Sequence, residues 1–287
     1  MLVRLAKFYF CGFLFKVKSL LLSLKDLIVE YCYFCGVPFV NREHVPPRCF
    51  FPEKSKKDYR VNLIKVPSCL KHNSAKSSDD QYMLLLFSAM AKALSGDEGL
   101  LLNLQKSVRT IVRDLTWIPL LTDQLKIIPK SEQLEPLPKT DWHAPENQVE
   151  IKPDYLRIGN FLAAVARGIL YHDEKVIWGG GVVVIPIFLV RIEADNRCFT
   201  DELSNMISSE HGAGDNKDIF YYEISKFTGA SASASASASA GVVPLFQVDM
   251  CFYSEFKASC FFFPRDKREF VMRSYTDVPQ VIWNDVD

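Results

Sequence analysis

Two pairs of metal-ligating residues, Cys32-x2-Cys35 and Cys69-x2-His72, are the part of this chain whose types and spacing could do chemistry. Thiolates and an imidazole two residues apart can each bend the chain into a knuckle that offers two ligands. Two knuckles make the closed tetrahedral shell that structural zinc prefers. The 33 residues between the pairs are too few for a separate domain and suit a β-hairpin returning into a helix, so zinc would clamp the two ends of one small unit. Inside that unit stand Glu43 and His44, followed by Pro46 and Pro47, with Asn62 further on and Asn73 directly after the second pair. A neutral imidazole is suited to take a proton from water. A carboxylate and an amide oxygen suit a hard cation such as Mg2+ or Mn2+, which stabilises charge on phosphate oxygens. Adjacent strand residues point to opposite faces, so Glu43 and His44 share a site only where the strand ends or bulges. Pro46 and Pro47 supply such an end.

The succession C-x2-C, E-H-V-P-P, N-L-I-x-V-P-S-C and C-x2-H-N followed by K-S, over roughly residues 31 to 80, resembles the zinc-knuckle type of HNH endonuclease, also called the ββα-metal or His-Me finger module. The resemblance implies a hairpin and a following helix that hold one divalent cation against a scissile phosphodiester. It implies His44 as general base, Glu43 and Asn73 as ligands of the catalytic Mg2+ or Mn2+, and Asn62 as the brace of the loop that carries the base. Two positions depart from the commonest pattern: cysteine is usual where His72 stands, and aspartate is frequent where Glu43 stands. The first still ligates zinc, and the second lengthens the metal arm by one methylene. The expected activity is metal-dependent hydrolysis of nucleic acid, with DNA as the substrate. The alternative is a non-catalytic zinc-binding module for nucleic-acid or protein interaction, in which Glu43 and His44 are loop residues.

Charge bears on the partner. The chain of 287 residues carries 34 Lys and Arg against 34 Asp and Glu, which argues against coating nucleic acid through bulk positive charge. The charge is uneven, because residues 31–78 hold nine lysines and arginines against three acids. Such a local excess suits phosphate-backbone contact that weakens as salt rises. Lys76, one helical turn beyond Asn73, is the lysine expected near a phosphate. A second copy of the chain would turn nicks into double-strand cuts, and a homodimer is left open.

The other elements must carry this unit. With 48% hydrophobic residues the chain can bury a full core, and the fold class expected is α+β. Residues 1–29 read as an amphipathic helix or extension, too interrupted to span a bilayer but able to lie on a membrane surface. No small-residue cleavage site follows its basic start, so the expected location is cytoplasmic, with the cysteines reduced. The nuclease unit is expected over residues 30–80 and a helical segment over 81–118, begun by Asp79 and Asp80. Prolines 119, 129, 136, 138 and 145 mark a linker over residues 119–148. A mixed α/β domain follows over residues 149–287, with a helix from Ile158 to Tyr171. Strands are expected at Val182–Ile192, Ile219–Ile224, Pro244–Tyr253 and Cys260–Phe263, forming an antiparallel sheet, and the alternating Ser and Ala of residues 229–241 read as a flexible loop.

Overall fold

The computed structural model describes residues 29–53, 57–74, 76–94, 125–128, 148–151, 153–189, 210–227, 244–274 and 282–285. The N-terminal extension to residue 28, residues 95–118 of the expected helical segment, Lys54, Lys56 and the Ser/Ala loop lie outside them. The fold is α+β. Among the described residues no helix is long and apolar enough to cross a membrane.

The unit between the knuckles begins with β1 (Asn41–His44), which pairs antiparallel with β2 (Lys65–Ser68), placing Glu43 opposite Val66 and His44 opposite Lys65. Two short helices follow, α1 (Leu70–Ser74) and α2 (Ser77–Leu94), in the order hairpin then helix. The strand stops at His44: the Val45 N–H still donates to Ile64 O at 3.0 Å, and Pro46 and Pro47 then have no N–H with which to continue the pairing. A 3-10 turn over Arg48–Phe50 comes next, with the Phe50 ring buried. The two prolines thus end the pairing where the sequence placed the end. Asn62 sits at φ 54° in the turn before β2, a left-handed conformation that asparagine tolerates better than most side chains.

β3 (Leu125–Ile128), inside the segment expected to be a linker, pairs antiparallel with β4 (Gln148–Ile151), which begins at the last residue of that segment. Its Leu-Lys-Ile-Ile sequence is rich in strand-forming residues, a local signal that the surrounding prolines obscured.

The C-terminal half is built on α3 (Tyr155–Glu174) and a five-stranded sheet. Asp154 caps the helix, its carboxylate accepting from the Arg157 N–H at 3.2 Å, and Lys175 closes it in the left-handed region at φ 59°. The strands are β5 (Gly181–Ile185), β6 (Phe220–Lys226), β7 (Phe246–Phe252), β8 (Phe256–Phe263) and β9 (Ile282–Asn284), all antiparallel in the order β6-β7-β8-β5-β9. The first of these is shorter than the expected run to Ile192 because Pro186 ends it, and the chain goes on as a 3-10 turn over Ile187–Leu189. One face of the sheet, with Val182, Val248, Met250 and Phe262, packs on Ile158, Leu162 and Ile169 of α3. Part of the other face packs Val183, Phe261 and Phe263 on Val271 of α4 (Arg268–Ser274). Burial on both faces explains why these strands read as continuous apolar runs instead of alternating ones.

One core joins the two halves. Tyr33, Val45, Phe50 and Val66 of the small unit belong to the same buried cluster as α2, α3 and the sheet. The Phe50 ring stacks on Phe161 with centroids 5.2 Å apart, and Phe87 of α2 stacks on Phe256 at 4.5 Å. Gly168 of α3 packs against Val45, the residue after His44. A Cβ there would lie 2.6 Å from Val45 Cγ2 and 2.9 Å from Cγ1, so α3 approaches the residue after His44 more closely than alanine allows. Gly168→Ala should therefore lower stability by about 1–3 kcal/mol in urea unfolding, although alanine is the better helix former. An unchanged or raised midpoint would contradict this packing.

Candidate metal centre and adjoining cleft

The four ligand atoms of Cys32, Cys35, Cys69 and His72 lie within 4.8 Å of one another. Cys35 Sγ is 3.9 Å from Cys69 Sγ, Cys32 Sγ is 3.7 Å from His72 Nδ1, and Cys69 Sγ is 3.2 Å from the same nitrogen. Bonds of about 2.3 Å at tetrahedral angles would place neighbouring sulfurs about 3.8 Å apart. The cluster could therefore hold a metal such as zinc. Local structure explains the convergence: the Cys32 N–H donates to Val37 O at 2.7 Å, the Gly36 N–H donates to Cys32 O at 2.9 Å, and Gly36 adopts φ 72° to close the knuckle. Burial pushes the Cys69 thiol up, but backbone N–H groups of His72 and Lys71 and the neighbouring sulfurs outweigh it, and its pKa is lowered toward the thiolate that binds metal.

His72 is held from behind. Its imidazole stacks on Phe34 at 4.3 Å, and the guanidinium of the buried Arg167 on α3 lies 4.7 Å from the centre of the same Phe34 ring. Arg167 also donates to the side-chain and backbone oxygens of Asn284 and to Gly180 O. The C-terminal strand thereby braces the ligand ring through one arginine, a contact that no local sequence pattern announces.

Beside the cluster opens a cleft of about 200 Å³ lined by Arg42, Glu43, His44, Pro47, Arg48, Asn73, Lys76 and Asp80. Glu43, His44 and Asn73 thus line one space, despite the adjacency of the first two. Glu43 is 7% exposed, and its Oε1 accepts from Tyr33 Oη at 2.6 Å and from Lys76 Nζ at 2.7 Å. Lys76 Nζ also donates to Tyr33 Oη at 3.0 Å. Burial opposes the Lys76 charge, but Tyr33, Glu43 and Asp80 outweigh it and raise its pKa. Its ammonium is committed to this pair, so a phosphate contact by Lys76 would require it to leave Glu43. His44 is partly buried, and its pKa is lowered by burial and then by Lys65, Arg48 and Arg60, which favours the neutral imidazole. Asn62 lies on the exposed turn away from the cleft, and its side chain makes no hydrogen bond among the described residues.

Asp80 and Arg48 are the residues that sequence reasoning passed over. Asp80 had served only as a helix start, yet it lines the cleft with a buried Oδ1 that has no hydrogen-bond partner among the described residues. Burial raises its pKa to about 7, helped by Glu43 and Asp79 and opposed by Lys76. Arg48 is exposed at the cleft rim and makes no ion pair among the described residues. Asp80 falls seven residues after Asn73, but the first helix ends at Ser74 and the next begins at Ser77, so no continuous helical face in the sequence announced the pairing.

Two expected outcomes follow from this geometry. Purified protein should carry one zinc per chain by elemental analysis, and Cys69→Ala should abolish that binding; full metal content in the variant would contradict the cluster. The second concerns pH. A carboxyl whose folded pKa is raised binds more protons folded than unfolded, so its contribution to stability declines as pH rises from about 4 to about 7. Asp80→Asn should therefore stabilise the chain by at least about 1 kcal/mol at pH 7.5, and by less at pH 4.5, in urea unfolding without added divalent cations. A gain that does not depend on pH would contradict the assignment. Comparison with family models, with curated proteins and with solved structures finds no match, and the functional reading rests on this geometry.

Proposed function

We propose that this chain is an endonuclease of the HNH kind, which hydrolyses phosphodiester bonds of DNA at the cleft beside the Cys3His cluster. The observation that carries the reading is that Glu43, His44 and Asn73, which the resemblance to HNH endonucleases groups together, line one cleft next to the four converging zinc-type ligands. Zinc held by Cys32, Cys35, Cys69 and His72 has a structural part, because all four positions of a tetrahedral shell are filled by protein.

The cleft fits a hard divalent cation. Glu43 has one carboxylate oxygen without a hydrogen-bond partner among the described residues, Asn73 offers an amide oxygen, and the orphaned Oδ1 of Asp80 is a third hard donor. Bound by Glu43 and Asn73, Mg2+ or Mn2+ would supply positive charge to the phosphate oxygens. The chain's own residues do the rest. His44, neutral near pH 7, accepts a proton from water as its oxygen attacks phosphorus and the bond to the leaving oxygen breaks. Arg48, exposed at the rim and without an ion pair among the described residues, is placed to meet a phosphate, while Lys76 of the same cleft holds Glu43.

The test is conversion of supercoiled plasmid to nicked or linear form with Mg2+, with Mn2+ or with neither, using wild type and His44→Ala matched for zinc content. Expected is cation-dependent cutting that falls at least about 100-fold in the variant. Absence of cutting by folded, zinc-loaded wild type on DNA and RNA would transfer the assignment to a non-catalytic zinc-binding module.

A further inference from the structure

We propose that Tyr33 is a positioning residue, seated between two zinc-type ligands, whose phenol fixes the Glu43 carboxylate and so makes the cation site of the cleft depend on the integrity of the neighbouring knuckle. This rests on the endonuclease reading of the same cleft and adds to it a residue and a coupling.

Tyr33 is the residue after Cys32 and two before Cys35, so any movement of the knuckle moves its backbone. That backbone is itself tied to the hairpin, its N–H donating to Pro67 O of β2 at 2.9 Å. The ring has no exposed surface and meets Phe34 edge to face with centroids 6.0 Å apart, and Phe34 in turn stacks on the ligand His72. With its ring confined on these sides, the hydroxyl reaches Glu43 Oε1 at 2.6 Å, the length of a charge-assisted bond. Lys76 Nζ reaches the same oxygen at 2.7 Å and lies 5.7 Å from the Tyr33 ring centre. Both donors fall on one oxygen. The carboxylate is thereby held in one orientation, and its second oxygen is left for the cleft. Residues that hold a ligand from outside the coordination shell commonly change metal affinity by about 10–100-fold when removed, which sets the size of effect expected of one phenol.

The coupling has a direct physical path. A knuckle closed on zinc restricts the backbone of Tyr33, and an open knuckle releases the phenol from Glu43. The carboxylate then keeps only the flexible lysine, and the orientation that presents its second oxygen is lost.

The experiment compares wild type with Tyr33→Phe, which deletes a single oxygen atom, as full-length protein purified with zinc. Zinc content and thermal midpoint are measured first, then Mn2+ affinity by electron paramagnetic resonance, then plasmid nicking over a Mn2+ series. The expected result is unchanged zinc content, Mn2+ binding weakened about 10–100-fold, and nicking that is depressed at low Mn2+ and recovers as Mn2+ is raised. A merely structural tyrosine would lower the thermal midpoint or the zinc content without that recovery. Wild-type Mn2+ affinity in the Phe variant overturns the proposal while leaving the endonuclease standing. A wild type that neither binds Mn2+ nor cuts overturns both. Should Tyr33→Phe fail to fold, wild type labelled with 13C at the tyrosine Cζ carries the test. One Cζ resonance should then move on Mg2+ titration with the midpoint of cleavage, and stationary resonances at saturating Mg2+ overturn the proposal.

Discussion

The convergence of three cysteine sulfurs and one imidazole within 4.8 Å is the constraint on which the rest of the small unit depends. The hairpin of β1 and β2 has four residues per strand, and α1 has five residues, so none would hold its shape in water alone. A metal held by the cluster would tie the entry of the hairpin to the start of the helix, and loop closure of this kind removes chain entropy that short elements cannot offset by packing. Cys32 and Cys35 fix one end of the unit, and Cys69 and His72 fix the other. Glu43 and Asn73 are carried to the same cleft by that closure.

Docking on the larger half supplies the rigidity that the cluster lacks. Phe50 leaves the loop after His44 and enters the aromatic cluster of Phe87, Phe161 and Phe252, while Val45 meets α3 at Gly168. Tyr253 Oη donates to Phe50 O at 2.8 Å, which satisfies a backbone oxygen in that loop. Arg167, the neighbour of Gly168 on α3, is packed over Phe34. The C-terminal half therefore works on the cleft through buried packing and one buried guanidinium, and contributes no described residue to its lining.

Electrostatics within the cleft divide the charges by burial. Lys76 and Glu43 form a pair with side chains 13% and 7% exposed, and breaking such a buried pair by removing one partner typically costs about 3–5 kcal/mol. Lys76 is thus a structural cation before it is anything else. The exposed Arg48 is available at the rim, where solvent screens it until a phosphate arrives. Asp80 is left between these groups with a buried oxygen unmatched by any described donor, and a cation would relieve it.

Much of this was legible in the chain itself. The knuckle spacings, the hairpin ended by Pro46 and Pro47, the helix starting near Asp79 and the runs that became β5 to β8 all rest on local physics. Ligand pairs two residues apart, proline's missing N–H and apolar runs of strand length report themselves without distant partners. Residues distant in sequence settled the rest. Lys76 is expected from the sequence near a phosphate and Asp80 at a helix start, and no local pattern marks Tyr33 or Arg167. Each role depends on what lies opposite in space: Tyr33 and Lys76 meet on Glu43, Asp80 is buried in the cleft wall, and Arg167 spans from Phe34 to Asn284. The sequence by itself determined the ligand set and the elements that present it, because those follow from residue type and spacing. Only the tertiary structure decided which charges are spent within the protein and which remain for a ligand, because burial and pairing belong to residues that meet only after folding.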